Sequence, residues 1–171
     1  PMSTLTSRFD AKLLAVVAIA MVIAVAGWEG WRLTVRGAPV NVPKVVTDFG
    51  HQKVIYHLTE SGGYLGGKYR NWVGNMENHF AAVEPDHLDL VVVMNGDGVA
   101  LLTYAKGDEK LAARIDALKA KGARFLVCRN TLISRRIEPT DLHGLKTEDL
   151  IGAGVAQIAL LERQGYGYLK P

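Results

Sequence analysis

A single thiol stands in the chain, and the residues beside it have types and an order that could do chemistry. Cys128 closes an apolar run, Arg124-Phe125-Leu126-Val127-Cys128, and opens a turn, Cys128-Arg129-Asn130-Thr131. A short helix is expected over 131–136. A thiol just ahead of a helix feels the positive end of its dipole, and Arg129, Arg135 and Arg136 lie close in sequence. Both effects favour the thiolate, which is the nucleophilic form. A thiolate on a loop can attack a sulfane sulfur and hold it as a persulfide. The same residue at the end of an apolar strand can equally be a small, inert, buried side chain. Its position in the sequence leaves both readings open.

Other candidates fall at the ends of neighbouring expected strands. His57 closes one, where a histidine could act on the thiol as a base. Asn95 to Gly98 closes a second, and a tight turn is the simpler reading of that Asn-Gly-Asp-Gly. The glycine-rich stretch Ser61 to Gly67 could cradle an anion ahead of a helix. It fits neither a P-loop nor a dinucleotide fingerprint, so a plain loop or a subunit contact is the better expectation. With one cysteine, no disulfide can form within the chain and no zinc site can rest on paired cysteines. None of the five histidines pairs with another at helical metal spacing. No serine-histidine-aspartate order with an elbow motif and no convincing carboxylate pair occurs. The candidate set is therefore Cys128 as the reacting group, with Arg129, Asn130, Thr131, His57 and Asn95 in support, and with no cofactor and no metal expected.

The elements that must position these residues follow from periodicity. Lys53 to Leu58 reads as a strand. Tyr69, Trp72, Val73, Met76 and Phe80 recur on one face of a helix over 68–82. Leu88 to Met94 is almost wholly apolar, as suits a strand covered on both sides. Leu111, Ile115 and Leu118 form the inner stripe of a helix over 108–121, which Gly122 caps. Arg124 to Cys128 is a third strand. Thr147-Glu148-Asp149 can start a last helix with Ile151, Val155 and Ile158 inward, ended by Gly165. Tyr166 to Lys170 is a short final strand. Strands alternating with helices imply βαβ units, and hence a mainly parallel sheet with helices on both faces. In such sheets reactive groups lie at the carboxyl ends of the strands, where His57, Asn95 and Cys128 fall.

Upstream, Leu13 to Ala26 is continuously apolar, and the stretch 11–31 is long enough to span a bilayer with Glu29 near its end. Trp28 and Trp31 suit an interfacial belt. A cleaved export signal is the rival, with Ala24-Val25-Ala26 as the processing site. Residues 1–31 are thus expected to be a membrane anchor or signal segment, 32–50 a linker bearing Pro39 and Pro43, and 51–171 the folded domain. Basic residues nearly balance across the span (Arg8 and Lys12 against Arg32 and Arg36), but the order of basic, apolar and small residues is that of an exported protein. An inner-membrane anchor with a periplasmic domain is expected. The net charge of +3 is spread without a lysine and arginine stripe, so no nucleic-acid partner is expected.

These pieces together resemble a known family. The strand KVIYHL, the helix carrying Arg70-Asn71, the strand LDLVVVMNGDGV, the helix end LKAKG, the strand RFLVCRNTL and the closing GAGVAQIALLERQGYGYLKP are similar to small stand-alone members of the DsrE/DsrF-like sulfur-relay family. The similarity spans residues 51–171. Its most specific pieces are Val127 to Leu132 and Gln164 to Pro171. The resemblance implies a three-layer α/β/α domain on a parallel five-stranded sheet, and homo-oligomers such as trimers or hexamers. It also implies relay chemistry in which a strand-end cysteine, here Cys128, carries a persulfide between donor and acceptor proteins. Two other readings stay beside it: a non-catalytic oligomeric scaffold or accessory subunit of a membrane complex, and a small-ligand or metal-binding module at the strand ends.

Overall fold

The computed structural model describes residues 16–17, 41–63 and 65–171. The expected anchor over 11–31 lies outside them but for residues 16 and 17. Among the described residues, no helix is long and apolar enough to cross a membrane. The chain divides into Pro1–Val46 and Thr47–Pro171, and the sheet belongs to the second unit.

Its first strand, β1, runs from Gln52–Leu58. Helix α1 (Gly67–Val83) comes next, burying Tyr69, Trp72, Val73, Met76 and Phe80 as the periodicity requires. Then come β2 (Leu88–Met94), α2 (Ala100–Lys106) and α3 (Glu109–Ala120). The strand β3 (Arg124–Cys128) leads directly into α4 (Arg129–Arg135). The chain closes with β4 (Leu150–Ile151), α5 (Gly154–Arg163) and β5 (Gly167–Leu169). The five strands are ordered β4-β3-β2-β1-β5 and every pairing is parallel.

Alternation along the strands divides the core in two. Leu90, Val92 and Met94 of β2 face α1, α2 and α3, together with Val54, Tyr56, Phe125, Val127 and Leu132 of α4. Val91 and Val93 face the other way, with Ile55 and Leu126, against Ile158, Leu161 and Tyr166. A strand covered on both sides can be apolar at successive positions, which accounts for the LDLVVVM run.

Three features differ from the sequence expectation. The last helix does not begin at Thr147. Thr147–Asp149 is one 3-10 turn, in which the Asp149 carboxylate accepts the Lys146 N–H at 3.0 Å. The polar start signal is thus used by that turn. Ile151 then pairs with Cys128 as part of the edge strand β4, and α5 starts at Gly154. Its inward stripe becomes Gly154, Ile158 and Leu161, at i, i+4 and i+7, so Val155 points outward and is 69% exposed. The helix α2 is an addition. It buries Leu101, Leu102 and Ala105 but is too short to show a period. It grows out of a 3-10 turn, Gly96–Val99, that replaces the simple tight turn expected after β2. Gly98 permits this turn: a Cβ there would lie 2.0 Å from the Leu58 carbonyl oxygen, closer than any side chain tolerates.

The glycine-rich loop is tied at three described points. The Gly66 and Lys68 N–H groups donate to the Gly63 and Gly62 carbonyls. The Leu65 carbonyl accepts from the Arg70 guanidinium at 2.7 Å and the Tyr104 hydroxyl at 3.1 Å. The N–H groups of Gly66 and Lys68 are thus spent within this segment.

Candidate functional site

Strand parity is enough to place the candidate residues. Met94 is in register with Val127, so Asn95 and Cys128, the next residues of their strands, lie side by side. Cys128 shares the parity of Leu126, Asn95 that of Val93, and His57 that of Ile55. All three therefore project to the face that α5 covers. Tyr168, in register with Ile55, projects to that face as well. Four residues from four neighbouring strands form a row across the carboxyl end of the sheet, at the N-terminus of α5.

Cys128 is only 5% exposed, yet its surroundings are polar. The Gly154 N–H, the first of α5, donates to Sγ at 3.4 Å, and the Gly152 carbonyl lies 4.0 Å away. Burial pushes the thiol up. It is outweighed by hydrogen bonds from the Thr131 hydroxyl and from the N–H groups of Gly154, Thr131 and Asn130, which hold the thiol below its ordinary value. Thr131, itself buried, is aimed by a second bond: the Gly96 N–H donates to its Oγ1 at 3.1 Å. That leaves the hydroxyl hydrogen free to point at sulfur. Stabilisation of the thiolate thus comes from neutral donors at the starts of α4 and α5.

The arginines expected to help occupy other places. Arg135 forms an ion pair with Asp97. Arg129 and Arg136 line a cavity of about 530 Å³ between α4 and β4, with Leu132, Ile133, Ile137 and Leu150. Leu132, Ile137 and Leu150 belong to the opposite core, so this cavity is on the face away from Sγ. Asn130 is exposed and contributes its backbone N–H to the sulfur.

His57 and Asn95 meet, although the sequence separates them widely. His57 Nε2 lies 3.1 Å from Asn95 Oδ1, and His57 Nδ1 lies 2.8 Å from the Tyr168 hydroxyl. Asn95 in turn packs on Gly154, where a Cβ would stand 3.2 Å from both Asn95 Cβ and Nδ2. The row Tyr168–His57–Asn95 therefore ends beside the glycine whose N–H holds the sulfur. Sequence reading missed Tyr168 and Gly154. The first stands in the terminal QGYGYLKP, but only the β1–β5 pairing brings it to His57. The second lies in a Gly-Ala-Gly that has no period of its own.

The other histidines lie elsewhere. His79 bonds to the Tyr56 hydroxyl and the Gln52 carboxamide, His143 to Asp116, and the His51 ring packs tilted against that of His87 with centroids 4.1 Å apart. Among the described residues, no three His, Cys, Asp or Glu side chains converge as a metal site would require.

Comparison with known proteins gives the frame for this site. Among curated proteins none matches the chain. Among solved structures, the fold is similar to that of MTH1491 from Methanobacterium thermoautotrophicum, described as a protein of unknown function. The TM-score is 0.57 and the identity 24%, over 70% of this chain and 99% of that one. Residues 60–171 match the DsrE/DsrF-like family, a span that holds four of the five strands of the sheet, helices α1 to α5 and every residue of the row except His57. The chain belongs to the DsrE/DsrF-like family.

Proposed function

We propose that this protein carries sulfane sulfur, taking it up as a persulfide on Cys128 and passing it on. Family membership supports a sulfur-relay role in general terms. The assignment to Cys128 rests chiefly on one arrangement: a thiol at a strand end that accepts the first N–H of α5 at 3.4 Å, among donors that favour its thiolate against burial. In loading, the Cys128 thiolate attacks the outer sulfur of a donor persulfide, R–S–SH. The Cys128 S–S bond forms, the donor S–S bond breaks, and the donor leaves as R–S⁻. Delivery is the reverse exchange with an acceptor thiolate, and Cys128 leaves as the thiolate that the four donors stabilise. Sulfur oxidation states are exchanged between partners, so no outside oxidant or cofactor enters.

The test is mass spectrometry after incubation with inorganic polysulfide. The wild-type chain should gain about 32 Da on Cys128 per sulfur atom, and Cys128→Ser should gain nothing. An unchanged wild-type mass, or a gain that survives in Cys128→Ser, refutes the reading.

We also propose that residues 11–31 tether the domain to the inner membrane with the domain in the periplasm, on the strength of the apolar run and its flanking tryptophans. Recovery of the full chain in the soluble fraction, or protection of the domain from protease in spheroplasts, would contradict this. A second reading, an oligomeric scaffold within a membrane complex, is favoured by the burial of Cys128 and by the apolar residues left outside, Val155 and Leu160 among them. It expects a Cys128 that small alkylating reagents modify no faster in the folded protein than an ordinary buried thiol.

A further inference from the structure

The row beside Cys128 has an internal order that hydrogen-bond chemistry fixes. A carboxamide oxygen can only accept. Asn95 Oδ1 faces His57 Nε2 at 3.1 Å, so Nε2 must bear the hydrogen. In the neutral ring Nδ1 is then an acceptor, and its neighbour at 2.8 Å is the Tyr168 hydroxyl, which must donate. The direction runs Tyr168 O–H to His57 Nδ1, and His57 Nε2–H to Asn95 Oδ1. With its oxygen held, Asn95 has to turn its NH2 the other way. Nδ2 lies 3.2 Å from where a Cβ on Gly154 would stand, Gly154 being the residue whose N–H binds Cys128 Sγ, and the hydrogen bond Asn95 makes to His57 uses Oδ1 and not Nδ2. Asn95 is half-buried. It thus offers its donor hydrogens toward solvent on the Gly154 side, with no acceptor among the described residues.

We infer that the Asn95 carboxamide binds the outer sulfur of the Cys128 persulfide, and that His57 and Tyr168 are positioning residues that hold it in the productive orientation. This rests on the persulfide reading of Cys128. A persulfide adds a sulfur about 2 Å beyond Sγ, and Sγ itself is already surrounded by the donors of Gly154, Thr131 and Asn130. Asn95 supplies the separate donor that the outer atom needs. During delivery the acceptor thiolate attacks that outer sulfur while Asn95 fixes it against the attacking atom. The S–S bond to Cys128 breaks, the proton stays on the transferred sulfur, and Sγ departs with its electron pair.

Two measurements on the folded domain test this. Nitrogen NMR of His57 should report hydrogen on Nε2 in the wild type and a mixture of tautomers in Tyr168→Phe. Hydrogen on Nδ1 in the wild type would reverse the row and overturn the inference. Second, sulfur transfer from the loaded protein to a small thiol, followed by mass, should slow about tenfold in Asn95→Leu and a few-fold in Tyr168→Phe. His57→Gln, which keeps a donor toward Asn95, should recover much of what His57→Leu loses. Far-UV circular dichroism of Tyr168→Phe should match the wild type, which separates positioning from damage to the fold. Loading on Cys128 with equal transfer rates in every variant would sink the assignment of Asn95 alone. Failure of the wild-type chain to load would sink it together with the persulfide reading.

Discussion

Thr131 is the residue on which the behaviour of the thiol turns. Its hydroxyl receives one hydrogen bond and gives another, linking the turn after β2 to the sulfur at the end of β3. Replacement by valine keeps the shape and removes both bonds. In Thr131→Val the Cys128 pKa should rise, and the pH profile of alkylation by a small reagent should move upward with it. The same shift governs stability. A thiol whose folded pKa is lowered binds fewer protons in the native state than in the unfolded chain, so stability rises with pH through the window just below the ordinary thiol value and is lost as pH falls through the folded value. Urea midpoints measured across that window should climb for the wild type, climb less for Thr131→Val, and lack this component in Cys128→Ser. Cys128, Asn130 and Thr131 were legible as a group because they fall within four successive residues, whereas Tyr168 was not, since its partner lies 111 residues upstream.

The long elements were legible because their periods repeat. The α1 stripe from Tyr69 to Phe80 and the α3 stripe Leu111, Ile115 and Leu118 are buried as their spacing requires. The N-terminus of α3 adds a cap: Asp108 Oδ1 accepts the Leu111 N–H at 3.1 Å, and Oδ2 accepts from Arg70 at 2.7 Å. The backbone bond, then burial acting against it, then Arg70 set the Asp108 carboxyl below its usual range. Asp108→Ala loses both cap and ion pair and should lower folding stability. Asp108→Asn keeps the cap and gives up only the ion pair, and because Arg70 is exposed its loss should be much the smaller. Thermal or urea unfolding of the two variants separates cap from charge; equal losses would show that the pair, not the cap, holds the helix start. Short elements left no such trace. A strand of two residues, Leu150–Ile151, has no alternation to read, and the start signal at Thr147 served a single turn instead of a helix.

Among the described residues the two faces of the sheet are covered unequally. Helices α1 to α4 contribute to the core on one and α5 to that on the other, and the row from Cys128 to Tyr168 lies on the α5 side. The outer surface of α5 carries the exposed Val155 and Leu160, and β5 at the sheet edge leaves Tyr168 and Leu169 partly open. An open parallel edge flanked by apolar side chains favours contact with another chain. If the domain self-associates here, as the homo-oligomer expectation holds, light scattering should give a multiple of the monomer mass. Val155→Glu with Leu160→Glu should lower that mass while circular dichroism stays the same. A monomeric wild type, or an unchanged mass in the double variant, would move the contact elsewhere or remove it.

The amino-acid order alone determined a parallel α/β sheet and its main helices, since burial on one or both faces writes a period of two, of 3.6, or an unbroken apolar run into consecutive residues. It also placed a thiol, a histidine and an asparagine at strand ends. Only the tertiary structure decided that these share one face, which donors hold the sulfur, and that Tyr168 completes the row. Those facts depend on which strands are neighbours and in what register, and pairing across the sheet joins residues whose separation along the chain carries no local signal.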